Sequence, residues 1–303
     1  ATRATREPLV RTVHSYAFAV LRLQASAYGN PPPRLLTNAE QDSVIREMLR
    51  GEIADGAARW PERVRPALGL VGFASELRDL VLRAAERGLG PEDLIAWGRK
   101  HSRPEWVAAG KFAAQYEQAM LLRGSVGVET PEATSPGLDA AELVGAALTA
   151  FATDPDLLVS ERRRIRHVLV DDAQHLDPQA AQLVRLLSAG AASTVVAGDP
   201  DQAVFSFRGA DAHFLADLDD GHGGRRVVLS RNHRSDSGVG SVQRAITAHL
   251  SGRVAHRVGT QFRDDRAEDE HPSAEEETRA VPPVRVVVAS STAKEATAIA
   301  DTF

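Results

Sequence analysis

The chain contains no cysteine. That excludes disulfide frameworks and thiolate metal sites, and makes a reducing cytoplasm the expected compartment. No run approaches the ~20 consecutive apolar residues that a membrane-crossing helix requires, so no membrane partner is expected. Ala1 to Arg11 carry charge without an apolar stretch and do not read as a secretory signal. Lysine is nearly missing: Lys100, Lys111 and Lys294 are the only three, and arginine supplies the remaining basic character. Together with the alanine excess, this points to a G+C-rich genome. The histidines, including His14, His167, His175 and His233, show no metal-ligand spacing such as His-Glu-x-x-His. No Gly-x-Ser-x-Gly elbow occurs, which argues against a serine nucleophile, and no internal repeat is found.

What is present is the balance of a soluble globular protein, 43% hydrophobic and 25% charged over 303 residues. That length holds one large domain or two ordinary ones. A net charge of −5 argues at first against a nucleic-acid partner. Much of the acid is local, however: Asp264, Asp265, Glu268, Asp269, Glu270, Glu275, Glu276 and Glu277 crowd one stretch. Residues 263–283 are therefore expected to be a solvated, disordered loop. The remainder is roughly neutral to basic, so net charge decides nothing about partners.

Val13, Tyr16, Val20 and Leu21 recur at helical spacing, and Pro31-Pro32-Pro33 ends that helix. Thr37 with Glu40 fits a capping box, followed by an apolar stripe of Val44, Ile45, Met48 and Leu49. The pattern stays helical to about Tyr116, with breaks at Pro61, Pro66, Gly88 to Pro91 and Pro104. Gly124 to Gly137 reads as a loop, and Ala140 to Phe151 as a further helix. The character then changes. His167 to Val170 is an apolar run ending in Asp171-Asp172, Thr194 to Ala197 ends in Gly198-Asp199, and Arg226 to Leu229 ends in Ser230. Asp177-Pro178 caps a helix between the first two. Buried strands alternating with helices predict a parallel sheet, with function at the strands' carboxyl ends. A fourth strand, Val284 to Val288, is expected before a helix opened by Thr292 and Glu295.

Adjacent carboxylates at Asp171 and Asp172 repel each other, and a site tolerating both usually offers them a cation or a polarised water. Nucleotide-hydrolysing folds hold magnesium in this way. The alternative is a helix N-cap or an exposed turn. Gln202 follows the tight Gly198-Asp199-Pro200-Asp201 turn and offers an uncharged donor and acceptor suited to a phosphate oxygen. Phe205, Phe207 and Arg208 suit stacking on unpaired bases beside a phosphate; the competing reading places both rings in the core. Arg234, in Asn232-His233-Arg234-Ser235, either forks onto a γ-phosphate or is a surface charge.

Taken together, these segments resemble the UvrD/Rep/PcrA-type superfamily-one DNA helicases. Val168 to Gln174 resembles their V-D-E-x-Q-D block. Ala197 to Ala210 resembles G-D-x-x-Q-S-I-Y-x-F-R-G-A, and Leu229 to Ser235 resembles L-x-x-N-Y-R-S. Thr12 to Tyr16 resembles T-x-H-S-F, and Leu138 to Leu143 is a weakened L-D-F-x-D-L. The resemblance implies an α/β fold: a RecA-like P-loop NTPase core, with a parallel sheet flanked by helices and a helical insertion. Residues 1–33 and 159–224 would form the first RecA-like domain and 34–158 the insertion, and 225–303 would begin a second RecA-like domain.

The resemblance also implies ATP and Mg2+ as cofactors and single-stranded DNA or DNA ends as partner. By it, Asp171 would hold magnesium and Asp172 would stand where the family's glutamate polarises water, the pair being the metal site. Gln202 and Arg234 would contact the γ-phosphate, Gln174 would link nucleotide to DNA, and His233 would lie against the adenine. Phe207 would stack on bases with Phe205 beside it, and Thr12, His14, Ser15 and Arg208 would follow the DNA. Asp172 for glutamate shortens the reach by one methylene, and a misplacement of ~1 Å can cost about a hundredfold in rate. His175 stands in place of an aspartate. The Asp-Asp-Ala-Gln version is similar to the AdnA-like subunit of actinobacterial AdnAB helicase–nucleases, which implies a second helicase–nuclease subunit. No Gly-x-x-x-x-Gly-Lys-Ser/Thr loop occurs, and Gly110-Lys111-Phe112 does not supply one. In the family that loop precedes the Thr12 element, and the late motifs would follow Phe303. A truncated chain without useful ATP hydrolysis of its own is expected. A non-enzymatic scaffold subunit and an α/β nucleotide-binding module outside the helicases remain as alternatives.

Overall fold

The computed structural model describes residues 10–126, 137–211, 213–218, 226–250 and 261–263, with Ser291 and Lys294. Its contacts divide into two units, Ala1–Asp220 and Gly221–Phe303.

In the first unit, α1 (Val13–Ala27) opens where the Thr12 hydroxyl accepts from the Ser15 N–H at 3.1 Å. α2 (Asn38–Ala54) opens on the expected reciprocal cap, Glu40 N–H to Thr37 Oγ1 at 3.2 Å and Thr37 N–H to Glu40 Oε2 at 2.8 Å. α3 (Val71–Glu86), α4 (Pro91–Lys100) and α5 (Pro104–Val126) follow. Pro91 and Pro104 each begin a helix, where the missing N–H would have had no intrahelical partner. Residues of α2, α3 and α5 enclose a core that includes Val44, Leu49, Leu77 and Phe112. Trp60 fills its centre, edge-on to Phe73 at 5.4 Å. α5 runs through Gly124 to Val126, where composition suggested a loop. A helix already nucleated extends at the cost of one residue per added hydrogen bond, and one glycine does not stop it. Residues 127–136 of that expected loop lie outside the described ones.

A second core lies around the sheet. α6 (Glu142–Thr153) and α7 (Pro155–Arg164) pack against α1 and α8 (Pro178–Ser188) through Ala17, Val20, Val144, Phe151, Leu157 and Leu183. β3 (His167–Val170) and β4 (Ser193–Val196) pair in parallel, with Val168 opposite Thr194 and Val170 opposite Val196. α8 connects them, opened by Asp177 accepting from the Ala180 N–H at 2.8 Å with Pro178 in the first turn. Arg162 closes the other end of α8, donating to the Leu186 carbonyl through Nε at 3.1 Å and through its second terminal nitrogen at 2.7 Å. A second parallel pair, β1 (Arg34–Leu35) with β2 (Gly137–Leu138), clasps the chain on either side of the 36–136 segment. α9 (His213–Asp217) buries Phe214 beneath Arg185, whose guanidinium carbon sits 5.1 Å from the ring centroid. Small parallel sheets flanked by helices are the α/β arrangement expected of a RecA-like core. Among the described residues, no single helix is long and apolar enough to cross a membrane.

In the second unit, β5 (Arg231–Asp236) pairs in parallel with β6 (Gln261–Arg263) and leads into α10 (Ser237–Thr247). This corrects the strand expected at Arg226 to Leu229. Residues 226–230 carry no regular structure, and Val227 and Leu229 are exposed. A strand needs a ladder partner, and the 261–263 segment meets the polar residues rather than the apolar run. His233 and Arg234 therefore lie within a strand, not in a loop after one. The expected strand at Val284 to Val288, the Thr292–Glu295 cap and the acidic stretch after Arg263 lie outside the described residues.

Acidic side chains collect where α3 and α5 meet α6. Asp139 and Glu142 cap each other's backbone, Asp139 N–H to Glu142 Oε2 at 3.0 Å and Glu142 N–H to Asp139 Oδ1 at 2.8 Å. Burial, reinforced by the Asp139 charge, pushes the Glu142 carboxyl up to about 7. Burial likewise pushes Glu86 up to about 7 against the opposing Arg83 charge. A folded-state pKa above the unfolded value favours folding most at low pH, and the benefit is lost as pH rises through the folded value. Glu142→Gln, which cannot ionise, is expected to raise the urea midpoint at pH 8 and to leave it nearly unchanged at pH 5. Equal gains at both pH values would contradict this.

Candidate functional site

The ladder of β3 and β4 continues one step past both strands. Ala197 N–H donates to the Val170 carbonyl at 2.8 Å, and Ala173 N–H donates to the Ala197 carbonyl at 3.0 Å. This brings Asp171-Asp172 beside Gly198-Asp199. Gln174, 1% exposed, lies between the two strand ends. Its Nε2 donates to Asp172 Oδ1 at 3.2 Å, and its Oε1 accepts from the Asp199 N–H at 3.0 Å. Asp199 in turn accepts from the Asp201 N–H at 3.0 Å and from Gln202 Nε2 at 2.9 Å, one oxygen each. Gly198 is required by space: a Cβ there would lie 2.7 Å from Leu215 Cδ1 and 2.8 Å from Gln174 Oε1.

Asp171 and Asp172 are both exposed, and Asp171 Oδ1 accepts from the Asp172 N–H at 2.9 Å. Asp172 sits in the left-handed region at φ 52° and ψ 39°, a conformation that aspartate adopts more readily than most side-chain-bearing residues. It precedes the Ala173–His175 turn without capping it through its side chain. The donor set is all carboxylate oxygen. Among the described residues no group of three metal-binding side chains forms. Two carboxylates suit Mg2+, which keeps most of its waters and takes further oxygens from bound phosphates.

Beside this network stand the aromatics. Phe205 is 36% and Phe207 70% exposed, and neither belongs to a core cluster. The His175 ring meets Phe205 edge-on at 4.7 Å, and Phe205 lies 6.2 Å from Phe207. The Ser206–Arg208 turn ends in Gly209 at φ 93°, where a Cβ would lie 2.6 Å from Glu86 Oε2. It is anchored by Ala210 N–H to the Phe205 carbonyl at 3.2 Å and Asp211 N–H to the Leu176 carbonyl at 2.8 Å. Burial notwithstanding, Asp211 is held below the usual carboxylate range, chiefly by the His213 N–H and then by the His213 ring. The Arg208 side chain lies outside the described residues.

Thr12 caps α1, Ser15 is exposed and His14 half-buried. Val13 packs on the cluster of Ala173, Leu176 and Phe214, which holds the start of α1 near the turn after β3. Tyr16 donates to Glu161 Oε2 at 2.8 Å. Burial, then the Glu161 charge, raise its pKa, whereas Arg164 and Tyr16 together hold Glu161 low despite its own burial. His233 and Arg234 are exposed on β5 in the second unit, where Arg234 N–H donates to Asn232 Oδ1 at 2.9 Å. Asp171, Asp172, Gln174 and Gln202 are thus linked in one network with Phe205 and Phe207 alongside. Asp199, which sequence reasoning passed over, is its second hub; an aspartate directly before proline was the available signal.

The profile of the UvrD/REP helicase N-terminal domain matches residues 1–222. The chain is 29% identical over 257 residues to DNA helicase II of Escherichia coli strain K12, covering 84% of this chain and 32% of that protein. It is 24% identical over 253 residues to DNA helicase II of Salmonella typhimurium strain LT2, covering 83% and 31%. To the ATP-dependent DNA helicase UvrD1 of Mycobacterium tuberculosis strain H37Rv it is 31% identical over 131 residues, 41% of this chain and 17% of that one. The chain therefore spans under a third of the length of the first two relatives.

Removing the central amide is costly because it strands a part-buried donor. Gln174→Ala leaves the Asp199 N–H without its acceptor, and is expected to lower stability by about 1–3 kcal/mol in urea unfolding. An unchanged midpoint would show that water replaces the amide freely.

Proposed function

The chain belongs to the UvrD/REP helicase family, and from that premise we propose that it forms the hydrolytic and strand-gripping part of an ATP-driven DNA translocase. The observation that carries this reading is the buried Gln174 amide. It joins an acidic pair at one strand end to the Asp199–Gln202 turn at the next, with an exposed aromatic pair alongside.

Bound Mg2+-ATP supplies the phosphoanhydride whose cleavage drives the cycle. Asp171 would hold the metal through its water shell, and Asp172 would accept a proton from the attacking water. By the family resemblance Gln202 would contact the γ-phosphate, and on β5 of the second unit Arg234 would serve the γ-phosphate and His233 the adenine. Gln174 passes the state of this site towards the DNA. Phe207 stacks on an unpaired base with Phe205 behind it, while Thr12, His14, Ser15 and Arg208 follow the backbone.

The domain reading assigns 1–33 and 159–224 to the first nucleotide domain and residues from 225 to a second. The core shared by α6, α7, α1 and α8 supports adding α6 and α7 to the first. Single-stranded DNA or DNA ends are the substrate, in the cytoplasm. A second reading, a scaffold subunit paired with a partner helicase–nuclease in the AdnAB manner, is favoured by the short carboxylate at Asp172.

DNA-stimulated ATP hydrolysis by the full-length protein separates the two. Turnover is expected to vanish in Asp171→Ala and to rise in Asp172→Glu; absence of turnover in wild type and both variants would install the scaffold reading. Loss of one stacked base is worth about 1–3 kcal/mol, so Phe207→Ala is expected to weaken oligothymidylate binding by roughly fivefold to a hundredfold. Unchanged affinity would overturn the stacking role.

A further inference from the structure

His175 ends the short turn after β3 and touches both halves of the site. The Gln174 amide has a settled sense, because its Oε1 accepts from the Asp199 N–H at 3.0 Å. The nitrogen is therefore the atom that faces Asp172 Oδ1 at 3.2 Å and His175 Nε2 at 3.4 Å. An amide nitrogen donates and does not accept, so His175 Nε2 is the acceptor and Nδ1 carries the ring hydrogen. Nδ1 is enclosed and makes no hydrogen bond. A buried polar group left unpaired in a native structure calls for a compensating use. The ring's other engagement is its edge-on contact with Phe205 at 4.7 Å, and Phe205 lies 6.2 Å from the exposed Phe207.

We propose that His175 is a positioning residue that couples the Asp171-Asp172 carboxylates to the Phe205–Phe207 pair, so that nucleotide at one and single-stranded DNA at the other alter each other's affinity. The proposal rests on the functional reading above. The Gln174 nitrogen is shared between Asp172 and His175. When Asp172 turns to a ligand, the amide donates more fully to His175 Nε2 and draws the ring. The ring carries Phe205 with it, and Phe205 shifts Phe207. Thermodynamic reciprocity requires that a base stacked on Phe207 act back on the carboxylates by the same factor.

Two substitutions divide the two functions of the ring. His175→Phe keeps a ring against Phe205 and removes the acceptor. His175→Gln keeps an acceptor at similar reach and removes the ring. In the full-length protein, the dissociation constant of an oligothymidylate carrying 2-aminopurine is measured with and without Mg2+ and a non-hydrolysable ATP analogue. In wild type the nucleotide is expected to change that constant by roughly fivefold or more, the usual scale of coupling between sites. Both variants are expected to bring the ratio close to one while binding oligonucleotide and nucleotide separately, which also certifies that they fold. A wild-type ratio of one, or a wild-type ratio retained in either variant, overturns the proposal. Failure of the underlying reading looks different: Phe207→Ala would leave oligonucleotide affinity and 2-aminopurine fluorescence unaltered, whatever His175 does.

Discussion

The buried carboxamide of Gln174 is the interaction on which the strand-end geometry depends. Adjacent parallel strands leave their carboxyl ends as separate loops, each free to wander. Here one planar group with a donor on one side and an acceptor on the other bridges them, donating to Asp172 and accepting from the Asp199 backbone. Asp199 then spends both carboxylate oxygens on the next turn. Every group in this chain of bonds is placed by the one before it, and Gly198 leaves only enough room for the amide to lie where it does. The stiffness centres on the Gln174 amide, the buried member of the network, whose displacement would leave its own polar atoms unpaired. The exposed carboxylates therefore stand on a rigid base while remaining open to a ligand.

Local features of the chain were legible because their physics is local. Thr37 with Glu40 and Asp177 with Pro178 each name a helix start within four residues, and each is present. The strands at His167 and Ser193 announced themselves as short apolar runs ending in acid. Where a structure depends on distant partners, the reading faltered. The apolar run at Arg226 to Leu229 has the composition of a strand, yet the ladder formed one step later, against residues thirty positions away. Periodicity shows that α6 has an apolar face but not that the face meets α1.

The site shows the same division. Asp171, Asp172 and Gln202 were nameable from residue type and position, and the structure links them into one network. The function of Gln174 as a bridge was not readable from spacing, because it depends on the register between two strands. Asp199 went unnamed although it directly precedes Pro200, because its importance lies in hydrogen bonds with Gln174, Asp201 and Gln202, none of which leaves a mark on composition. Phe205 and Phe207 are exposed and lie outside the core clusters, which removes the core reading and leaves stacking as a proposal.

The clasp of β1 with β2 bears on how such a chain can be rearranged. Arg34-Leu35 and Gly137-Leu138 pair side by side, so the 36–136 segment leaves and returns through one narrow neck. A segment whose ends meet can be lengthened, shortened or exchanged in descent without dragging the sheet with it. The freedom is not complete, because Gln179 of α8 reaches across to the Ala85 carbonyl at 2.7 Å and Gly209 nestles against Glu86. A transplanted segment would have to bring a compatible tip at the end of α3, or the aromatic turn would lose its backing. Lineages that swap this module should therefore vary its interior freely and its neck and tip together.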